Sequence, residues 1–519
     1  MRFIRGVSVG CVCLLAALAQ AEESGVTPAL PRVDERLNEA AQAAGVELAA
    51  LSDDGEFLRR AAIDLTGTIP SVNEVREFLA DTRPDKRALL IDRLLSKPSH
   101  AAHLADVWRG LLLPGGTNLQ QFGGALSLQN WLRQKFADNV SYDKMAAELL
   151  TASGQINQSG PVLFYTSLEL KPEELASNTS RVFLGVQIGC AQCHNHPFDH
   201  WKQTDFWGMA AFFARLQPPA QGQQIAFQVA DAEAGEVKLP GSETVVGMKF
   251  LGAGQAADLA DRTRRAQLAQ WMTAADNPFF AKATVNRIWS QLFGRGLVEP
   301  VDDLGAHNLP SHPELLDELS AYFVQSGFDM RALYRFLANT QAYQRTSASS
   351  SAGDSRPELF ARMAVKSLSA EQLYDCLAEA MRRRESAGQA NLVQLGGAAR
   401  GFDQNRQNFV QKFQAPTQNP TELQAGIPQA LTLMNGQLIN EATDLARSDL
   451  LGALDAPFFT PEERINVIFL STLARLPREE ERGPLLDYLS QGGASNDPRQ
   501  ALGDVLWAVL NSAEFLLNH

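Results

Sequence analysis

Cysteine is scarce in this sequence, with five residues among 519. Two of them, Cys11 and Cys13, lie in an apolar stretch near the first residue, and the others are Cys190, Cys193 and Cys376. The three cysteines outside that apolar stretch are too few for a disulfide scaffold. The composition is otherwise that of an ordinary soluble globular protein.

Basic residues are also in short supply. Lysine and arginine number 46 against 59 aspartate and glutamate residues, which gives a formal net charge of -13. A chain of this charge is repelled by phosphate backbones and by anionic headgroups. We therefore expect neither nucleic acid nor an anionic lipid surface as a partner.

Long apolar runs are missing after residue 21. Residues 1–21 have the pattern of a secretory signal: Arg2 and Arg5 in front, an apolar core over 7–18, and the small-residue site Ala19-Gln20-Ala21. No later stretch reaches the roughly 18 apolar residues of a membrane helix. We expect an exported protein, periplasmic or secreted, that is not inserted in the membrane once the signal is removed.

Familiar catalytic motifs are absent as well, since the sequence has no Gly-x-Ser-x-Gly, no His-Glu-x-x-His and no phosphate loop. One polar cluster could supply acid/base groups or metal ligands, namely Asp302, Asp303, His307 and His312. Its members are interpreted more simply as turn and cap residues, with His312 inside a capping box of Ser311 and Glu314. No catalytic role is assigned to them, and enzymatic activity is left open.

Helical periodicity fills most of the chain. Capping boxes recur, for example at Ser71/Glu74, Ser369/Gln372 and Thr460/Glu463. A chain of this length exceeds what one core usually holds. We predict a mainly α protein with two helical domains, residues 28–216 and 261–519. They are joined by a linker over residues 217–260, in which short alternating segments predict a small β-hairpin element.

The densest group of reactive side chains lies at Cys190-Ala191-Gln192-Cys193-His194, with His196 and His200 directly behind it. The run Cys-x-x-Cys-His is the pattern of c-type haem attachment. In such a site Cys190 and Cys193 form the thioethers and His194 ligates the iron. Pro172 predicts the start of an amphipathic helix that ends at Gly189, directly before the motif.

Other occupants of this motif stay open. The thiolates of Cys190 and Cys193 with the imidazoles of His194, His196 or His200 form a mixed S/N set suited to zinc or copper. An oxidised cysteine pair that staples the loop is a third interpretation. For a haem, the sixth ligand would come from another segment; Met209 is the first choice, before His200, His307 and His312. Cys376 shares an apolar helix face and is predicted to be buried.

Several strings resemble the planctomycete-type exported cytochrome-like domain of the second type. They are Phe57-Leu58-Arg59-Arg60, Asp64-Leu65-Thr66-Gly67-Thr68-Ile69-Pro70 and the run from Gly189 to Phe198. Later strings are similar to the planctomycete-specific C-terminal domain, among them Val285-Asn286-Arg287-Ile288-Trp289, Phe293-Gly294-Arg295-Gly296 and Leu433-Met434-Asn435-Gly436. Both domains are of unknown function, and the resemblance covers nearly all of the chain after the signal.

Two functions are therefore expected as alternatives. The first is an exported cytochrome-like protein with a covalent c-type haem, which transfers electrons or serves periplasmic redox proteins. The second is a non-redox binding or scaffold protein with a zinc or copper site in the same loop.

Overall fold

The structure is a computed structural model that describes residues 30–114, 125–217, 228–348, 356–381, 404–413, 432 and 434–519. The predicted signal peptide over residues 1–21 lies outside these ranges. Helices dominate the described chain, which confirms the prediction of a mainly α fold.

The helices of the first half precede and follow the cysteine motif. They are α1 Val33–Ala43, α2 Asp54–Thr66, α3 Val72–Ala80, α4 Lys86–Leu95, α5 Pro98–Leu112, α6 Ala125–Ala137, α7 Tyr142–Leu150, α8 Val162–Ser167, α9 Pro172–Thr179 and α10 Gln203–Ala210. Between α9 and α10 lie a π turn, Ser180–Leu184, and a 3₁₀ turn, Gly189–Gln192, and a further 3₁₀ turn, Ala211–Phe213, follows α10.

The second half is equally helical. Its helices are α11 Arg264–Met272, α12 Phe280–Phe293, α13 Pro313–Gln325, α14 Met330–Ala338, α15 Gln341–Gln344, α16 Ala370–Met381, α17 Gln404–Phe413, α18 Gln437–Thr443, α19 Asp449–Leu454, α20 Pro461–Thr472, α21 Glu479–Ser490, α22 Pro498–Leu510 and α23 Ala513–Leu516. Single 3₁₀ turns occupy Pro357–Leu359 and Gly493–Ser495.

Strands in the described chain are short and form three antiparallel pairs. Strand β1 (Gly154–Gln155) pairs with β2 (Gln228–Val229), β3 (Val237–Lys238) with β4 (Val245–Val246), and β5 (Lys366–Ser367) with β6 (Leu517–Asn518). The β3–β4 pair lies within residues 217–260 and is the predicted small β element. The β5–β6 pair joins the middle of the chain to its last described residues.

Helix α2 is buried on all sides, which is unusual for a helix with this many charged residues. Asp53 caps it by accepting the N–H of Glu56 at 2.8 Å, and Gly67 ends it in the left-handed conformation with φ 73°. Even Arg59 and Arg60 are no more than 2% exposed. Their guanidinium groups donate to backbone carbonyls, so the buried charges are hydrogen-bonded.

Two hydrophobic clusters form the core, and α2 contributes to both. The first contains apolar side chains from Val33 to Met363, with Leu470 and Ala474, so it draws on both sequence regions that flank residues 217–260. The second contains Ile63 of α2 and Ile69 with side chains between Leu373 and Phe515. Helix α20 also contributes to both clusters, so the two share more than one helix.

Membrane-spanning segments were sought among the helices of the described residues. None of these helices combines the length and the apolar character needed to cross a bilayer.

Candidate functional site

The chain enters the cysteine motif through a helix whose last turn is widened. Pro172 opens α9, which continues into the π turn Ser180–Leu184 and ends at Gly185, in the left-handed conformation with φ 64°. The predicted helix therefore ends at Gly185 rather than at Gly189. The motif itself begins in the separate 3₁₀ turn Gly189–Gln192.

In and around this 3₁₀ turn, apolar side chains face the protein interior and the two cysteine side chains face solvent. Ile188 and Ala191 are fully buried, whereas Cys190 and Cys193 are exposed and free. The carbonyl of Gln192 accepts hydrogen bonds from the side chains of Gln203 and Trp207, at 3.1 and 3.0 Å. Both thiols are thus available for chemistry, and the stapling disulfide is not formed in this structure.

Cys376 is the opposite case. It is fully buried on α16, as predicted, and burial raises the pKa of its thiol to about 12. A thiol that stays protonated is a poor nucleophile and a poor metal ligand. Reactive thiol chemistry is therefore confined to Cys190 and Cys193 among these three residues.

The imidazole of His194 has a hydrogen-bonding pattern suited to a ligand. Its Nδ1 lies 2.7 Å from the carbonyl oxygen of Asn195. Because a carbonyl only accepts, Nδ1 carries the proton and the lone pair remains on Nε2. A bond of this kind is the usual way in which proteins orient a ligating histidine.

His196 and His200 differ in which ring nitrogen carries the proton. The Nδ1 of His196 accepts the backbone N–H of Asp199 at 2.9 Å and that of Phe198 at 3.3 Å, so the proton of the neutral ring is on Nε2. In this loop geometry His196 has no free lone pair for a metal. His200 donates from Nδ1 to Asp199 Oδ1 at 2.6 Å, which leaves its Nε2 lone pair free on a 60% exposed side chain.

Asp199 contacts two of the histidines at the loop over residues 194–200, and its side chain is only 4% exposed. Its Oδ1 accepts the backbone N–H and the ring N–H of His200, and its Oδ2 lies 3.3 Å from Nδ1 of His307. Burial acts to raise the pKa of Asp199. The hydrogen bonds from His200 and the nearby His307 outweigh burial and lower the pKa below its usual value. The loop thus encloses a stabilised carboxylate.

His307 comes from the distant polar cluster noted in the sequence. Its Nε2 donates to Asp303 Oδ2 at 3.1 Å, and its ring centroid lies 6.4 Å from that of His196. The interpretation of this cluster as turn and cap residues therefore missed the contact of His307 with the motif loop. The only signal in the sequence was the spacing of carboxylates and imidazoles. His312 does not join them, because its ring faces the carbonyl of Glu358.

Met209, the first choice for a sixth ligand, is fully buried in the first hydrophobic cluster on α10. The aromatic side chains near it in the sequence, Phe206, Phe212 and Phe213, are buried too. The three motif side chains Cys190, Cys193 and His194 are exposed instead. Ligation by Met209 would require its thioether to leave the core, and its role as a ligand stays a prediction.

Two cavities of the described chain lie away from the motif. One of about 560 Å³ is lined by Arg215, Asp231, Ala232 and residues 258–264, and another of about 10 Å³ lies between core side chains near Trp108. Among the described residues, no group of three or more His, Cys, Asp or Glu side chains is arranged to hold a metal ion. The motif side chains Cys190, Cys193 and His194 lie at the protein surface.

Two large apolar side chains stand out at that surface. Phe198 is 80% exposed and precedes Asp199, and Leu309 is 78% exposed and follows His307 by two positions. Contiguous exposed apolar patches mark surfaces that contact another molecule, whereas single exposed apolar side chains are common. Phe198 and Leu309 lie in the two segments that Asp199 and His307 bring together.

Comparisons with known proteins identify two regions of the chain. Residues 32–218 match the family model PSCyt2, described as a protein of unknown function (DUF1549), and residues 264–489 match PSD1, also described as a protein of unknown function (DUF1553). Searches of the curated proteins and of the solved structures each return no match. The two matches confirm the resemblance drawn from the sequence: the chain carries a PSCyt2 region followed by a PSD1 region.

Proposed function

We propose that this protein is an exported c-type haem protein that transfers electrons to or from redox partners outside the cytoplasm. Cys190 and Cys193 would form the thioethers, and His194 would ligate the iron through Nε2. The observation that carries the proposal is the state of these three side chains. Both thiols are free and exposed, with Cys190 in the 3₁₀ turn Gly189–Gln192 and Cys193 directly after it. The Nδ1–H of His194 is engaged, so that Nε2 is left to bind.

A bound haem would supply one-electron chemistry at this surface. The chain's own contribution is to hold the turn, since Gln203 and Trp207 fix its backbone and buried Ile188 and Ala191 anchor it. Exposed Phe198 offers apolar contact beside it. A redox partner could approach such a surface closely, which short electron-transfer distances require.

The test is covalent attachment. The full chain is produced in a bacterial periplasm together with a c-type haem maturation system, and its intact mass and absorption spectrum are measured after acid-acetone extraction. We expect the mass of one haem to be added and the Soret band to survive extraction. Replacing both Cys190 and Cys193 by alanine should abolish the attachment. The matched replacement Cys376→Ala should leave it intact, because that thiol is buried.

A colourless protein of unmodified mass would overturn the proposal. Attachment that persists in the double-alanine variant would contradict the assigned residues. Loss of the haem in Cys376→Ala alone would place the attachment elsewhere.

The second candidate is a non-redox binding or scaffold protein that holds zinc or copper. One observation favours it: His200, like His194, keeps its Nε2 lone pair free. Cys190, Cys193, His194 and His200 would supply two sulfur and two nitrogen donors. The described residues do not gather them around one point, so a metal would have to draw them together. Elemental analysis of native protein lacking haem tests it. Stoichiometric zinc or copper supports this candidate, and only trace metal rules it out.

A further inference from the structure

The segment that leads into the motif is bound by the PSD1 region. The N–H of Leu304 donates to the carbonyl of Gly185 at 2.7 Å, and the side-chain amide of Gln187 donates to Asp302 at 2.8 Å. A Cβ at Gly185 would lie 2.9 Å from the Leu304 side chain, so the two backbones approach closely. The residues just before Cys190 are therefore held by the turn at 302–304.

A second support lies at the π turn. Arg287 of α12 is 6% exposed and donates to the carbonyls of Arg181 and Val182, both at 3.3 Å. These carbonyls belong to the widened turn, where the regular helical hydrogen bonds are interrupted. Arg287 thus satisfies backbone groups that the π turn itself leaves open.

The same turn also reaches the loop after the motif. His307 contacts Asp199 on one ring nitrogen and Asp303 on the other, at 3.3 and 3.1 Å. Gly305 makes this contact possible, since a Cβ there would lie 2.6 Å from Asp199 Oδ2 and 2.6 Å from Nδ1 of His307. The ring donates to Asp303 from Nε2, and its Nδ1 lies 3.3 Å from Asp199 Oδ2, so the ring is held between the two carboxylates.

We infer that residues 302–307 of the PSD1 region are part of the motif's site, and that His307 is a positioning residue that fixes the loop over residues 194–200 through Asp199. The inference rests on the proposed function only in treating Cys190 to His194 as the site. The PSD1 region thereby acts as the second half of that site, because it holds the chain both before and after the cysteines.

Hydrogen exchange of the full-length, haem-free chain tests this without any cofactor. His307→Ala removes both ring contacts and should speed exchange over residues 194–201 by about ten-fold, the order expected for loss of one charge-assisted hydrogen bond. His307→Asn should restore most of the protection. An asparagine amide lies near the former Nδ1 and can donate to Asp199.

His312→Ala is the matched control, since His312 bonds Glu358 in the same region and does not contact the loop. It should leave exchange over 194–201 unchanged. Alkylation of Cys190 and Cys193 provides a second readout, and His307→Ala alone should alter its rate. In haem-loaded protein, the same variant should shift the Soret band or the midpoint potential.

Unchanged exchange in His307→Ala would overturn the inference, and so would equal effects of His307→Ala and His312→Ala. Failure of His307→Asn to restore protection would refute the role of the Asp199 contact. These outcomes are independent of haem attachment. A protein that never takes up haem defeats the proposed function and leaves this result standing.

Discussion

Lys366 and Asp64 form an ion pair in the interior of the protein. The lysine Nζ lies 2.6 Å from Asp64 Oδ1, and neither side chain is more than 5% exposed. The other carboxylate oxygen accepts the hydroxyl of Tyr343 at 2.8 Å, and Asn518 donates to the first at 2.7 Å. Burial lowers the pKa of Lys366, and the nearby Asp64 opposes that shift. The pair joins α2 to β5.

Removing the lysine should therefore be costly. Lys366→Met leaves Asp64 as a buried charge with no ionic partner, and we expect the free energy of unfolding to fall by about 3–5 kcal/mol. Urea denaturation at neutral pH measures this. The control is Arg335→Ala, which breaks an exposed ion pair with Asp92 and should cost less than about 1 kcal/mol. Similar losses in both variants would contradict the buried pair's importance.

His100 should make stability depend on pH. Its ring is buried and donates from Nδ1 to the carbonyl of Leu65, and burial lowers its pKa to about 4 although the Leu65 bond opposes this. The unfolded chain, with a histidine pKa of about 6.5, binds the proton first as the pH falls. The contribution of neutral His100 to the free energy of unfolding is therefore fully present above about pH 6.5 and is lost between about pH 6.5 and pH 4. It amounts to about 3 kcal/mol at 1.36 kcal/mol per pKa unit.

The variant His100→Asn keeps a donor for Leu65 but cannot titrate. Urea unfolding at pH 7 and pH 4.5 should show a smaller acid loss in the variant than in the wild type, by about 2–3 kcal/mol. The carboxylates titrate in both proteins, so their contribution to the acid loss of stability cancels in this comparison. An identical acid loss in both would show that His100 is not the group responsible.

His196 should prove to be a structural acceptor and not a ligand. Its Nδ1 accepts two backbone N–H groups, and the oxygen of an asparagine lies near the same position. His196→Asn should therefore keep the loop's hydrogen-exchange protection, while His196→Ala should reduce it by about ten-fold. Zinc or copper uptake, if it occurs, should survive His196→Asn and weaken in His200→Ala. Loss of uptake in His196→Asn would restore His196 to the ligand set.

Two glycine substitutions should change the stability of the protein in opposite directions. Gly305→Ala places a methyl group 2.6 Å from Asp199 Oδ2, and we expect it to cost about 1–3 kcal/mol and to separate Asp199 from His307. Gly110→Ala on α5 meets no atom within 4 Å and should stabilise the protein by about 0.5–1 kcal/mol. Thermal unfolding of the two variants measures both. A stabilising Gly305→Ala would show that the turn relaxes freely.

Much of the fold could be predicted because its signals are local. Apolar spacing and caps act over a few residues, and the capping boxes of Ser71/Glu74 and Thr460/Glu463 are present as predicted. The prediction of a capping box at Ser311 and Glu314 was wrong. Ser311 donates to the carbonyl of Leu297 instead, and His312 caps α13 without a side-chain hydrogen bond. A tertiary partner there replaced the local one.

The site was predictable only in part for the same reason. The run Cys190 to His194 is distinctive in residue type and spacing, so the sequence alone singles it out as the candidate site. The contact of Asp199 with His307 joins two turns far apart in the chain and leaves no periodic trace. The tautomers that separate His194 and His200 from His196 depend on backbone groups that only the folded loop brings near.

The burial of α2 has a consequence for the order in which the protein assembles. This helix is made early, yet Arg59 donates to the carbonyls of Phe515 and Leu517, and Asp64 pairs with Lys366. Contacts between such distant residues form slowly. The core around α2 cannot close until nearly the whole described chain has been synthesised. Cys190 and Cys193 are made long before that moment, so the motif is complete as a sequence while the core around α2 is still open.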